Sequence, residues 1–382
     1  MNGRYEDMRS TDIVIVGTGD VANIIHMPVW KKIKEANVVG VYDINKERAE
    51  KVARNWKIPR AHTDFTELLE NEEGAIIDIC TPPSTHAALS VEAMKTGHSV
   101  ILEKPMAMSW EECKKIMDEY QKMKGKVRLC IVHNFLFEPP LLDIKSIITK
   151  KQLDILNVDL RMLHTPNDYM ISDRTHWVHS LPGGRFGENL IHPIYILRNL
   201  MGKLNVRDVY APKMGSYDWV NYDELYATFD SDGRFGTVHI SFNSPRWTTP
   251  LSVRVYGKEL IINYDGSNLA LTTQGPLLQG YLPKQKTSWL KLKVGWDNLQ
   301  SAMQIMKTTA KTAIRATSGK SVSGHEYLFS SFIRSILENK EMPYTPEEAY
   351  ESTISFLEVL QRLGTNGTRA QSSKHENSPV HP

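Results

Sequence analysis

Apolar residues fall in two textures along this chain. Through residue 135 they come as short, mainly apolar runs, at 12–16, 38–43, 75–80, 99–102 and 127–132, separated by stretches with helical spacing. Runs rich in β-branched residues predict strands buried on both faces, and their alternation with helices predicts a parallel, doubly wound α/β sheet, of which these are the first, second, fourth, fifth and sixth of six strands. The helices carry their own punctuation. Asp64 with Glu67 and Ser109 with Glu112 have capping-box spacing, and Gly97 and Gly125 close the helices that precede them.

After a linking helix at 141–150 the texture changes. Polar and apolar residues alternate through much of 153–164, 206–212, 225–230, 236–243, 252–256 and 260–264, with a further short strand near 269–272. Such alternation belongs to antiparallel strands with one solvated face. Two helices, 327–338 and 346–363, close the pattern. The expected organisation is a flexible N-terminus over 1–10, a nucleotide-binding α/β domain over 11–135, an α+β domain with a large open, mainly antiparallel sheet over 136–363, and a polar, disordered tail over 364–382.

Length and composition agree with this division. A chain of 382 residues exceeds one ordinary core, and two domains are expected. Its 46 basic and 44 acidic residues leave a net charge of +2, so bulk electrostatics point to no nucleic-acid partner. The three cysteines are scattered and show no disulfide framework or metal-ligand spacing, so no metal is expected. The first twelve residues are polar and charged, and no apolar run approaches membrane-spanning length. A cytoplasmic protein is the expectation.

The chemistry concentrates where strands end. The run 12–16 leads into Gly17-Thr18-Gly19-Asp20-Val21-Ala22, the dinucleotide fingerprint in its alanine form. Gly17 permits the tight turn, Gly19 lets the backbone approach a pyrophosphate, and Ala22 lets the following helix pack close to the strand. The helix start then offers N–H groups to phosphate. Asp43 ends the second strand, where an acid accepts from the adenosine ribose and repels a 2′-phosphate. That favours NAD over NADP, although Lys46 and Arg48 stand ready for a phosphate. Asp43 has a second possible role as helix N-cap, which Asn45 competes for. The fourth strand leaves through Thr81-Pro82-Pro83-Ser84-Thr85-His86. The fifth ends on Glu103-Lys104-Pro105. A lysine at the carboxyl end of a buried strand is costly unless used, and in open α/β sheets ligands bind at that edge. Lys104 is therefore expected to lie against the cofactor and touch the reacting substrate atom; the plain alternative is a strand-end lysine reaching water.

Gly17-x-Gly19, Thr81-Pro82-Pro83-Ser84-Thr85-His86 and Glu103-Lys104-Pro105 together resemble the glucose–fructose oxidoreductase / inositol dehydrogenase (Gfo/Idh/MocA) family. The resemblance implies an N-terminal Rossmann domain, cofactor contacts from Thr81, Pro82, His86, Glu103 and Lys104, often a cis bond before Pro105, and oxidation or reduction of a carbinol or carbonyl carbon in a sugar, nucleotide sugar or cyclitol. It also places the open face of the second sheet in a subunit interface, hence a homodimer or homotetramer. The stretch Gly183-Gly184-Arg185-Phe186-Gly187-Glu188-Asn189-Leu190-Ile191-His192 is similar to the family's third motif, glycines then an acid and a histidine at i+4. Glu188 stands where Asp is usual, and the third glycine is replaced or shifted. Glu188 and His192 share a helical face. His192 is the expected proton carrier, with Glu188 positioning it and Lys104 stabilising the alkoxide. In some family branches the lysine or a tyrosine carries the proton instead. The assignment requires Lys104 and His192 to meet over one nicotinamide ring.

Substrate candidates are weaker. His133 and Asn134 follow the sixth strand, with Leu136 where the family often has arginine. Asp168, Tyr169, Arg174, His176, Trp177 and His179 crowd the loop before the glycines; Arg174 and Trp177 suit a sugar, though such residues also pack domain junctions. Trp296, Leu299, Met303, Met306 and Ala310 recur at helical spacing beside Lys307, Lys311 and Arg315. Core or subunit contact is the preferred reading of that stripe over a membrane surface. A non-catalytic, cofactor-sensing regulator on the same fold is the rival from another class; presence of both Lys104 and His192 argues against it.

Overall fold

The computed structural model describes residues 10–245, 251–266, 270–274, scattered positions between 292 and 314, and 323–376. The chain forms two compact units, one of Met1–Glu138 with Val322–Leu357, the other of Pro139–Ser321 with Glu358–Pro382.

The first unit is built on six strands: β1 (Thr11–Val16), β2 (Ala36–Tyr42), β3 (Arg60–His62), β4 (Ile76–Ile79), β5 (Val100–Leu102) and β6 (Leu129–Ile131). They pair in parallel in the order β3-β2-β1-β4-β5-β6. Ile13 to Val16, Ile77, Ile79 and Val100 to Leu102 are fully buried, as strands covered on both faces require. The order reverses between β1 and β4, and the crevice beyond the carboxyl ends of these two strands is where such sheets hold nucleotides.

Helix starts follow the sequence. Asp64 accepts from Glu67 N, Ser109 from Glu112 N, and Asn45 from Arg48 N at 3.0 Å. Asn45, with an extended backbone, is therefore the cap of the Lys46–Trp56 helix, which releases Asp43 for other work. Asn45→Ala is expected to cost about 1 kcal/mol, measurable as a lower urea midpoint.

Residues 322–357 differ from the sequence expectation, which assigns everything from 136 to 363 to the second domain. The Gly324–Leu337 helix packs on the first sheet's helical layer. Phe329 stacks on Trp30 at 4.5 Å between ring centroids, and Tyr327 stacks on Phe137 at 5.2 Å. Gly324 is required there, because a Cβ would lie 2.1 Å from the Asn134 carbonyl oxygen. Its N–H donates to Glu138 Oε1 at 2.9 Å, on a carboxyl whose pKa burial raises. The last helix spans Pro346–Glu376, past residue 364, where composition predicts order to end.

The second unit carries a seven-stranded sheet of β7 (Ile155–Leu163), β8 (Asn205–Tyr210), β9 (Glu224–Ser231), β10 (Arg234–Ser241), β11 (Leu251–Gly257), β12 (Ile261–Asp265) and β13 (Ala270–Gln274), in the order β13-β12-β11-β7-β10-β9-β8. Every pair is antiparallel except β7 with β10. The Ile191–Met201 helix covers one face. It approaches so closely that a Cβ on Gly236 would lie 2.9 Å from Met201 Sδ. On the other face Tyr226 stacks on His239 at 4.2 Å, and His239 Nε2 lies 2.9 Å from Glu224.

Among the described residues no helix is long and apolar enough to cross a membrane. The described positions of the basic amphipathic stretch are helical, but Trp296, Leu299, Met303 and Met306 are 46–63% exposed, so within this chain the stripe is not core. Ala310 is helical too, whereas Lys307, Lys311 and Arg315 lie outside the described residues.

Candidate active site

The fingerprint loop sits at the switch between β1 and β4. Val16 pairs with Ile79, which sets the residues just beyond them, Gly17 and Thr81, side by side. Gly17 has φ +92°, and a Cβ there would lie 2.8 Å from Thr81 Cγ2, so both backbone angle and space exclude a side chain. Gly19 differs: a Cβ would meet no protein atom within 4 Å. Its bareness serves an approach from outside the protein, as the fingerprint requires. Asp20 and Val21 are exposed on the same rim, while Ala22 is fully buried. The segment after the fingerprint departs from a plain α-helix. Ala22–His26 forms a π turn that runs into one short α turn, Met27–Trp30.

Asp43 is held by Thr18, a pairing that no sequence pattern predicted. Thr18 donates twice to Asp43 Oδ2, from N at 3.1 Å and from Oγ1 at 2.7 Å, and Asn45 N donates to Oδ1 at 2.9 Å. Burial works to raise the Asp43 pKa, but these bonds and Arg48, 3.9 Å away, outweigh it and the net shift is downward. A carboxylate offers about four acceptor positions. Three are in use, so roughly one remains for a ribose hydroxyl. The cradle at Gly17 and Gly19 and the fixed carboxylate at Asp43 fit a dinucleotide.

Thr81 borders the loop at Gly17; Thr85 Oγ1 donates to Thr81 Oγ1 at 2.7 Å. His86 takes a different part from the one expected. It is fully buried, with Nδ1 2.9 Å from the Pro105 carbonyl oxygen and Nε2 2.9 Å from that of Thr81. It staples the two strand-end turns together from inside, and burial lowers its pKa. Glu103 likewise points inward. Its Oε1 meets His26 at 2.9 Å and its Oε2 accepts the Lys104 N–H at 3.0 Å. Lys104 is half-buried and precedes a cis peptide bond to Pro105.

His133 and Asn134, expected at the substrate, are buried in the first unit. His133 lies 5.3 Å from the Tyr344 ring, and the Asn134 carbonyl abuts Gly324. The helical segment that returns after residue 322 covers them, which gives them a packing role.

In the second unit the motif after Gly184 makes two short helices, Arg185–Asn189 and Ile191–Met201, joined at Leu190, which keeps helical angles. Glu188 and His192 thus stand on successive helices. Glu188 forms an ion pair with Arg185, whose other partner is Asp168 at 3.0 Å. Arg185, which breaks the glycine run, is buried, and burial pulls its pKa down against the pull of Asp168. His164 lies beside it, Nε2 3.3 Å from Asn189 Oδ1; burial and then Arg185 push its pKa down to about 4. His192 is buried, with Nδ1 2.8 Å from Tyr195 Oη. Arg174 and Trp177 are exposed. Trp177 forms an aromatic surface group with His176, at 5.6 Å, and His176 lies 5.4 Å from Tyr169. Sequence reasoning missed Thr18 and Arg185 as organising residues; Arg185 was visible only as a break in the glycine run.

A parallel sheet in the order 3-2-1-4-5-6, a fingerprint loop at its switch point and an acid on the neighbouring strand define an NAD-binding Rossmann domain. Residues 11–130 match the family described as "Oxidoreductase family, NAD-binding Rossmann fold" (GFO_IDH_MocA). It is 29% identical to scyllo-inositol 2-dehydrogenase (NAD(+)) of Bacillus subtilis, over 73% of this chain and 76% of that protein. It is 24% identical to Oxidoreductase P35 of Formosa agariphila over half of this chain, and spans only 60% of that relative's length. In fold it is similar to the WlbA dehydrogenase of Bordetella pertussis, solved in complex with NADH and UDP-GlcNAcA, with a TM-score of 0.73 at 18% identity, covering 94% of this chain and 96% of that one.

Proposed function

We propose that the protein is an NAD-preferring dehydrogenase acting on a secondary hydroxyl of a sugar, nucleotide sugar or cyclitol. The observation that carries this reading is the doubly anchored Asp43 beside the Gly17–Gly19 cradle, on the same sheet edge as Lys104. Gly17, Thr18, Gly19, Asp20, Val21 and Ala22 would hold the pyrophosphate, and Asp43 the ribose. The bound nicotinamide supplies a hydride acceptor. Oxidising a carbinol also requires that a hydroxyl proton leave. In this reading Lys104 stabilises the developing alkoxide, His192 takes the proton, and Tyr195 steadies the His192 ring through Nδ1. Glu188, held by Arg185, which also meets Asp168, would position His192. The exposed Tyr169 and Trp177, with the half-buried His176 between them, offer the flat faces that sugar rings stack on. The alternating outer face of the second sheet supports a homo-oligomer.

The test is a screen of inositols, free sugars and nucleotide sugars for NAD reduction at 340 nm. No turnover with any, alongside tight NADH binding, would favour the regulator instead. Cofactor choice has its own test. Asp43→Asn is expected to weaken NAD binding by about 1.5–3 kcal/mol, the worth of a hydrogen bond to a charged group, and to narrow the gap to NADP. An unchanged ratio of the two affinities in fluorescence titrations would remove the ribose role from Asp43.

A further inference from the structure

A closed polar cluster lies beneath Lys104, wholly within the first unit. His26 is fully buried at its centre. The ring is gripped at both ends: Nδ1 is 2.8 Å from Asp78 Oδ2 on β4, and Nε2 is 2.9 Å from Glu103 Oε1 at the end of β5. Trp30 Nε1 donates to Asp78 Oδ2 at 2.7 Å, and Cys80 Sγ is 3.2 Å from His26 Nδ1. Phe329 meets the ring edge-on at 4.9 Å, and His325 lies 6.1 Å away on the same helix. The donor atoms of His26, Glu103 and His325 fall within 4.8 Å of one another, as do those of His26, Asp78 and Cys80. Both His26 nitrogens are already spent on carboxylates.

The local backbone is shaped for this. A π turn carries one more residue per hydrogen bond than an α turn, which rotates the downstream helix by about 100°. It leaves Ile24 outside and turns His26 inward. Facing an acceptor from each nitrogen, the ring needs both N–H groups, and so a charge. Burial opposes that charge, but Asp78 and the Cys80 sulfur outweigh it, and the His26 pKa is raised well above 6.5. Burial opposes Glu103 too, but His26 and then Lys104 and His325 hold it down to about 2. Burial keeps His325 neutral, down to about 4, and the Cys80 thiol protonated, up to about 12. A buried ion cluster of this kind stabilises no better than apolar packing of equal volume, so its use lies in fixing geometry.

We propose that His26 is a positioning residue for the Lys104 site: bridging Asp78 to Glu103, it holds the Glu103 carboxylate against the backbone N–H of Lys104 and so fixes how the Lys104 ammonium is presented. This rests on the role proposed for Lys104 in turnover, but its test needs no substrate. In His26→Gln the amide donates to only one carboxylate. Asp78 keeps its Trp30 donor, so Glu103 loses the partner that holds it against the Lys104 N–H, and Lys104 loses a fixed anionic neighbour. Competitive labelling of the full chain with acetic anhydride at pH 8, read by peptide mass spectrometry, should then show Lys104 reacting about threefold faster or more. Exposed Lys114 should react at an unchanged rate, and NADH affinity should stay within about twofold. A Lys104 rate that is unchanged or slower in a folded variant overturns the proposal. Should the variant fail to fold, the parent chain decides through its imidazole nitrogen resonances. Among its 13 histidines, one must keep both ring nitrogens protonated at pH 8, and a spectrum with none overturns the proposal. Failure of the parent chain to bind NADH would count against the cofactor reading alone.

Discussion

Lys104→Met should lower kcat by about 10²–10³-fold while NADH affinity stays within about twofold. The substitution keeps most of the length of the side chain and removes its charge. The backbone N–H that Glu103 accepts is untouched, so the turn should hold its form. What disappears is a cation at the carboxyl edge of the sheet, the donor proposed to meet charge that develops only in the transition state. Loss of one such donor costs about 3–4 kcal/mol of barrier. Steady-state turnover on a substrate found in the screen, with NADH fluorescence titration alongside, separates the two effects. Turnover above about a tenth of the parent's would take Lys104 out of the chemistry.

Phe329→Ala should destabilise the first unit by about 3–5 kcal/mol. Phe329 is fully buried, stacked on Trp30 and edge-on to His26. Truncation leaves a cavity lined by an indole that also donates to Asp78, next to a buried ion cluster that tolerates water poorly. The expected result is a clear drop in the urea midpoint of NADH binding. That readout matters because Phe329 and the nucleotide loop at Gly17–Ala22 stand at opposite ends of the chain. A midpoint that did not move would mean the 324–337 helix contributes nothing to the Rossmann unit.

The local grammar of the chain was enough for most of the first sheet. Apolar runs marked β1, β2, β4, β5 and β6, and capping residues marked helix starts, because burial period and cap chemistry are short-range properties. β3, three residues with little apolar content, carried no such signal. Gly17 was legible as a turn residue, and Asp43 as the acid at the second strand's end. The family motifs then named Lys104 and His192 without any knowledge of their surroundings. His133, Asn134 and His86 were named by the same logic, and the folded chain buries all three. Their chain positions come after strand ends, where ligands gather, but only the folded chain shows that other protein groups already cover them.

The amino-acid sequence by itself determined most of the strands and helix starts of the nucleotide-binding domain, its fingerprint and the residue types available for the chemistry. Tertiary structure alone decided who touches whom. Thr18 holds Asp43 across 25 residues, His26 reaches Asp78 and Glu103 across 52 and 77, and a helix from the far end of the chain closes over Trp30. Periodicity says that a face will be buried and is silent on what it will be buried against. That choice is made by long-range packing and by the demand that every buried charge find a partner.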